Sequence, residues 1–260
     1  RGALLLRAAA DQIADAERRA VGDNGVTTHD PVDPEELQEL SLSFKNIVRI
    51  EHLTGLENLV CLRLDNNVIK RIENVGHLVN LEWLDLSFNN LRKIEGLDKL
   101  VKLKDLSLFN NHISALEGMD TLARLEVLSV GNNRLNSPEN LLYLRQFKCL
   151  KVVNMEGNPI CADPEYRMII YANLQSLSYL DYVLAEEVEV VAAREQYQDE
   201  LMELEEKEEI DRLMAEKERS HAAYMALLRK ANLEVAETLF DDMFKEDGDM
   251  QKLTLFPGVN

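Results

Sequence analysis

A run of near-identical segments, recurring at one fixed spacing, sets what this chain can fold into. "LVCLRLDNNVIKRI", "LEWLDLSFNNLRKI", "LKDLSLFNNHISAL" and "LEVLSVGNNRLNSP" place Leu64, Leu86, Leu108 and Val130 at equivalent positions. Upstream, "LQELSLSFKNIVRI" fits the same template at Leu42, and downstream "LKVVNMEGNPI" fits it at Met155 after a slightly longer step. Self-similarity at a fixed period is the signature of stacked architectures. In each copy a pair such as Leu62 and Leu64 lies two apart, which puts both side chains on one face of a strand. Burying each is worth roughly 1.5–3 kcal/mol, but a single 22-residue coil has no second layer to bury them against. Stacking supplies that layer, so the copies form a solenoid with a continuous core and a parallel sheet along one side.

The template is L-x-x-L-x-L-x-x-N-x-I, the leucine-rich repeat, in six copies. The fold class is therefore α/β: a leucine-rich-repeat solenoid of about six 22-residue-type repeats with helical caps, followed by a long α-helix or coiled-coil arm. The column Asn67, Asn89, Asn111, Asn133 and Asn158 falls where the chain turns out of the strand, with Lys45 in its place in the first copy. A side-chain amide offers two donors and an acceptor, so these asparagines are read as structural, satisfying turn groups that have no ladder partner. A second column, Glu51, Glu73, Glu95 and Glu117, precedes stretches such as "GLDKL". Its carboxylates either favour the start of a brief helical turn or form a row of solvated charges.

Both ends of a solenoid need covers. At the front, Asp33 and Pro34 in "DPVDPEELQEL" form a helix-start pattern,. At the rear, Asp163 and Pro164 repeat it, and Met168, Ile169, Leu174, Leu177 and Leu180 are expected to cover the last coil. Four regions result: a weak N-terminal helix and loop over 1–30, the capped solenoid over 31–184, an acidic long helix over 185–244, and an extended anchoring segment over 245–260. The chain begins with Arg1 rather than Met and stops soon after Pro257 and Gly258, so it reads as part of something longer.

The net charge is −18, and about 12 of the excess negative charges lie from Ala185 onward. Such a surface repels phosphate backbones, which sets nucleic acid and anionic membranes aside as partners and favours basic protein surfaces. No apolar run approaches a membrane span. Cys61, Cys149 and Cys161 are expected as buried, reduced thiols of an intracellular protein rather than a disulfide framework,. The five histidines show no metal-ligand spacing,. Ser87, Ser107 and Ser129 sit in repeat strands without a nucleophile elbow, and "GDNG" at 22–25 lacks the lysine of a phosphate loop,. The expectation is no enzyme, no metal and no cofactor.

A binding face is easier to argue. Strand alternation sends Cys61, Arg63 and Asp65, then Trp83, Asp85 and Ser87, then Asp105, Ser107 and Phe109, then Val127, Ser129 and Gly131 onto the concave side,. Trp83 and Phe109 are candidate anchors there, flanked by Asp65, Asp85 and Asp105, for a basic, helical segment of a partner. Phe44 and Phe88, one residue beyond the strand, form a rim. The competing reading is that these rings only pack against concave neighbours.

From Glu186 to about Met243 there is no proline or glycine, and good helix formers dominate,. Glu203 with Lys207 and Glu208 with Arg212 stand i,i+4,. A seam through Tyr197, Leu201 and Leu204 drops out at Glu208 and resumes out of register at Ile210 and Leu213, so sustained heptads are missing,. The stretch reads as a helical arm between the capped solenoid and an apolar segment from Ala222.

The blocks "WLDLSFNNL", "IEGLDKLVKLKDLSLFNNHIS" and "YLRQFKCL", then "YLDY" and the distal "LFDDMFKEDGDMQKLTLFPGV", resemble the leucine-rich-repeat, coiled-coil subunits of the nexin–dynein regulatory complex. The resemblance covers roughly residues 37–260 and rests most on the pairing of "YLRQFKCL" with "LFPGV". It implies a non-catalytic structural subunit of the ciliary or flagellar axoneme, cytoskeletal, partnered by other subunits of the complex and by dynein arms or adjacent axonemal proteins. Direct contact with tubulin is left open, and no family residue is carried over. The 22-residue repeat and its rear cap are also similar to regulatory subunits of protein phosphatases and to cytoplasmic factors that assist dynein-arm assembly.

Overall fold

The computed structural model describes residues 37–230. The expected N-terminal helix and loop, the helix start at Asp33 and Pro34, and the apolar and extended segments beyond residue 230 lie outside those residues. The chain divides into two compact units, with the division between Gln198 and Asp199.

In the first unit, every copy of the template contributes one three-residue strand: β1 (Glu39–Ser41), β2 (Cys61–Arg63), β3 (Trp83–Asp85), β4 (Asp105–Ser107), β5 (Val127–Ser129) and β6 (Val152–Asn154). These pair in parallel and in chain order, with Leu40, Leu62, Leu84, Leu106, Leu128 and Val153 in one register line. Strand β7 (Tyr179–Leu180) continues the line in parallel, and β8 (Val183–Leu184) closes it antiparallel. Each repeat is so short that a template position becomes a column through the whole stack. Leu42, Leu64, Leu86, Leu108, Val130 and Met155 form one buried column, and Ile47, Ile69, Leu91, Ile113, Leu135 and Ile160 form another.

The asparagine column joins coils rather than closing turns alone. Asn111 Oδ1 accepts from the backbone N–H of Leu91 in the preceding coil (3.0 Å). Its amide donates to Leu86 O of that coil and to Leu108 O of its own, each at 3.0 Å. Asn67, Asn89, Asn133 and Asn158 repeat the pattern. Each asparagine is buried and fully engaged, so it bonds one repeat to the one before.

Of the two readings of the glutamate column, the helix start is not formed. No helical turn follows Glu51, Glu73, Glu95 or Glu117; the next residues, His52, Asn74, Gly96 and Gly118, take left-handed backbone instead. Two of the carboxylates reach back one coil, Glu73 to Arg49 (2.9 Å) and Glu95 to Arg71 (2.8 Å).

The longer step before Met155 accommodates α1 (Glu139–Tyr143) and a 3₁₀ turn (Leu144–Gln146). At the rear, a 3₁₀ turn (Pro159–Ala162) leads to α2 (Tyr166–Asn173), whose start is marked by Asp163 Oδ1 accepting from the N–H of Glu165. Leu174, Leu177 and Leu180 are buried as expected, but Met168 and Ile169 are only half-buried. The cap instead buries Tyr166, Ile170, Tyr171 and Ala172, because the face of α2 that meets the last coil is set by Tyr166. The Tyr166 hydroxyl donates to Asp181 Oδ2 (3.0 Å), while Asp181 Oδ1 accepts from the N–H of Met155 (2.8 Å). Burial, followed by the nearby Asp181 charge, drives the Tyr166 hydroxyl far above the usual phenol range, so it stays a neutral donor.

The helix expected to run unbroken from Glu186 is two helices, α3 (Glu187–Gln196) and α4 (Gln198–Lys230). Tyr197 leaves helical geometry at φ −104° and ψ 22° without help from glycine or proline. Tertiary contacts impose the break: Ala193 is buried, α3 packs on α2, and the Tyr197 hydroxyl and Gln196 amide both donate to Glu165 Oε2, at 2.6 and 3.1 Å. Helix α3 thus belongs to the first unit.

The second unit is described through α4. Arg212 pairs with Glu209 at i,i+3 (2.7 Å), a partner that the i,i+4 reading did not name. Met202, Ile210, Leu213, Met214, Tyr224 and Leu227 stand exposed along it.

Candidate protein-binding face

The outer face of the sheet is built by side chains that alternate with the buried leucines. Trp83 in β3 is half-buried, and the Arg63 guanidinium carbon lies 4.6 Å from the centroid of its ring. The Trp83 side chain acts on the Asp105 carboxylate of the next strand, favouring its charged form. Burial pushes the Asp105 carboxyl above its usual range, the Trp83 side chain opposes that shift, and the neighbouring Asp85 charge adds to it. Arg63, Trp83, Asp85 and Asp105 therefore form one connected patch across β2 to β4.

Asp65 and Asp85 are partly engaged already. Asp65 accepts from the Ser43 hydroxyl and from Asn66 Nδ2, and Asp85 Oδ1 accepts from the N–H of Ser87 (2.9 Å). The Ser87 and Ser107 hydroxyls share a 2.6 Å hydrogen bond across adjacent coils. The three carboxylates present an acidic strip held by neighbours rather than by opposing charge, apart from Arg63.

Phe109 is half-buried and meets Phe88 edge-on, with ring centroids 5.6 Å apart. Its other side rests on Gly131, where any Cβ would lie 2.9 Å from the ring, so a larger residue there would push Phe109 out. Phe88 and Phe44 carry the exposed aromatic surface, at 45% and 73% exposure. The backbone under these two exposed rings adds a second property.

The residue just before each asparagine-column position is left-handed in all six copies: Phe44 (φ 57°), Asn66 (54°), Phe88 (53°), Asn110 (54°), Asn132 (51°) and Gly157 (80°). The turn requires it, because the N–H at this position extends the ladder to the next coil, as in Phe88 N–H to Phe109 O (2.8 Å). Asparagine and glycine are the residues that tolerate this geometry; a bulky side chain there is a genuine outlier. Two exposed phenylalanines occupy it, at a strain cost of about 1–2 kcal/mol each. The signal was available in the alignment of copies: the "NN" doublets at 66–67, 110–111 and 132–133 are interrupted by "FK" at 44–45 and "FN" at 88–89.

The cysteines correct an expectation: Cys61 and Cys161 are half-buried and Cys149 is exposed, all three as free thiols. Cys61 lies at the edge of the face beside Arg63, and burial pushes its thiol pKa up. Among the described residues no group of three or more His, Cys, Asp or Glu side chains is arranged to hold a metal ion, and no helix is long and apolar enough to cross a membrane.

The family model described as leucine-rich repeat matches residues 64–210, in keeping with this architecture. Dynein regulatory complex subunit 3 of Rattus norvegicus is 42% identical over 113 residues, covering 43% of this chain and 22% of the relative. The Mus musculus protein of that name is 40% identical over 116 residues, again 43% of this chain and 22% of the relative. The chain thus matches about a fifth of the length of these relatives. A chain in the crystal structure of the Drosophila melanogaster SNF/U2A' complex is 32% identical, with a TM-score of 0.48, over 54% of this chain and 86% of that one.

Proposed function

We propose, since this chain belongs to the leucine-rich-repeat family, that it is a non-catalytic structural subunit of the axonemal nexin–dynein regulatory complex. In this role it helps to link doublet microtubules and to regulate dynein-driven motility through protein–protein contacts. The identity of about 40% to dynein regulatory complex subunit 3 from two rodents carries the reading. The sheet face supports it, because exposed aromatics beside a fixed acidic strip suit recognition of a basic, partly apolar segment. Phe44 and Phe88 are its outer anchors, Phe109 supports Phe88 edge-on, Trp83 adds a further aromatic surface, and Asp65, Asp85 and Asp105 are the charge that selects a basic partner. Helix α4, with its exposed Ile210, Leu213 and Leu227, is a second attachment, met piecewise by other subunits of the complex.

Fractionation of ciliated cells separates this reading from its rivals. An axonemal subunit stays with demembranated axonemes through detergent and mild salt. A phosphatase regulator co-purifies with phosphatase activity, and a dynein-arm assembly factor remains soluble; either result would displace the proposal.

A further inference from the structure

The sheet face is acidic, but a groove on the turn that leaves the sheet has the opposite sign. It offers about 900 Å³ and is lined by Lys70, Arg71, Arg92, Lys93 and His112, with Asn90 and the single carboxylate of Glu95. Four cations thus meet one carboxylate on a chain whose net charge is −18. The origin is the repeat itself. The positions of Lys70 and Arg71 recur one coil later as Arg92 and Lys93, so stacking sets the two basic pairs side by side.

Two cations outside the groove are paired between coils, Lys104 with Glu82 and Lys151 with Glu126, both at 2.7 Å. The ladder that runs from Arg49 to Glu73 and from Arg71 to Glu95 should continue from Lys93 to Glu117, but that rung is not made among the described residues. Lys70, Arg92 and Lys93 have no carboxylate within ion-pair distance there, although acidic residues outnumber basic ones 47 to 29 in the chain. Like charges left together and unpaired raise the local potential and attract a counter-charged partner.

We infer that this groove is a second docking site, for an acidic, glutamate- or aspartate-rich peptide segment of a partner protein. Lys70, Arg92 and Lys93 meet its carboxylates, and the Asn90 amide in the same lining offers further donors. A short acidic peptide segment fits better than nucleic acid, since its charge can end within the groove, whereas a phosphate backbone carries its charge on to the acidic remainder of the chain. The site is independent of the sheet face and of the axonemal reading. With both faces occupied, the solenoid would hold a basic segment on one side and an acidic one on the other.

The test is fluorescence anisotropy of a fluorescein-labelled deca-glutamate peptide with the full chain. We expect saturable binding whose affinity falls about tenfold between about 0.05 M and 0.3 M salt, as exposed charge pairs are screened. Combining Lys70→Glu, Arg92→Glu and Lys93→Glu should weaken it by at least about tenfold. Phe44→Ala with Phe88→Ala should leave it unchanged, so failure here is distinguishable from failure of the sheet-face reading. Absence of saturable binding overturns the proposal, as does equal binding by a triple variant that melts like the parent. Tighter binding of an oligouridylate of equal charge assigns the groove to nucleic acid and overturns it too. So does dimerisation of the chain in light scattering that the triple variant abolishes, because the groove would then hold a second copy.

Discussion

The guanidinium of Arg63 lies over the ring of Trp83, 4.6 Å from its centroid, and Trp83 is the single tryptophan of the chain. Intrinsic fluorescence is therefore a reporter placed in the candidate site. Replacing Arg63 with alanine uncovers the ring to water, so emission should move to longer wavelength. Stability should change by less than about 1 kcal/mol, the worth of an exposed cation–π contact. Unchanged emission would mean that Arg63 does not cover the ring in solution.

Phe44→Asn separates a binding role from a packing role. The backbone at Phe44 is left-handed and its ring is exposed, so asparagine relieves strain and removes little packing. The melting temperature should hold or rise, by an amount equivalent to about 1 kcal/mol, while partner capture weakens. A clear loss of stability would make Phe44 a packing residue. Phe88 is a less clean probe, because its loss also removes the edge-on contact with Phe109, worth about 0.5–1.5 kcal/mol.

Asn111→Ala should be far more damaging than its size suggests. It strands the buried Leu91 N–H, at a cost of about 1–3 kcal/mol, and takes one of two amide donors from each of the Leu86 and Leu108 carbonyls, which keep Asn89 and Asn133 respectively. Urea denaturation should show a loss of about 2–3 kcal/mol. The nearly isosteric Asn111→Asp, which accepts but does not donate when ionised, should rescue little. Rescue by aspartate would show that shape, rather than the two donated bonds, is what the column supplies.

The carboxyl of Asp105 titrates above its usual range when folded, because burial disfavours its charge. The folded state then holds this proton more tightly than the unfolded chain, so its contribution to stability declines as pH rises through that window. Asp105→Asn keeps nearly the same shape, carries no titrating carboxyl and removes the decline. The difference in urea midpoint between variant and parent should therefore grow in the variant's favour from about pH 3 to about pH 7. A constant difference across that range would place Asp105 in a more solvated setting.

The repeat made the solenoid legible, since one period fixes strands, core columns and stacking direction together. What escaped the sequence lies between coils or in backbone signs. The Arg49–Glu73 and Arg71–Glu95 pairs each join one coil to the next, a separation along the chain that carries no meaning until the stack exists. Phe44 and Phe88 read as ordinary aromatics until their left-handed backbone is seen.

The hairpin between β7 and β8 turns on Asp181 and Tyr182, both at positive φ, where asparagine and glycine are the expected residues. The reason lies in Asp181, whose two carboxylate oxygens are taken by the Met155 N–H and the Tyr166 hydroxyl, so the turn is held from the cap side. The break at Tyr197 was equally hidden, because helix propensity runs through it and only the contacts to Glu165 end the helix there.

Retention on the axoneme separates an axonemal subunit held by the sheet face from a soluble protein. Tagged chain is added to demembranated axonemes stripped of the endogenous protein, and pellet and supernatant are compared for the parent and for Phe44→Ala with Phe88→Ala. The account predicts that the parent stays with the pellet through detergent and mild salt, and that the double variant, folded and melting close to the parent, moves largely to the supernatant. Recovery of the parent in the soluble fraction, or equal retention of both, would contradict it.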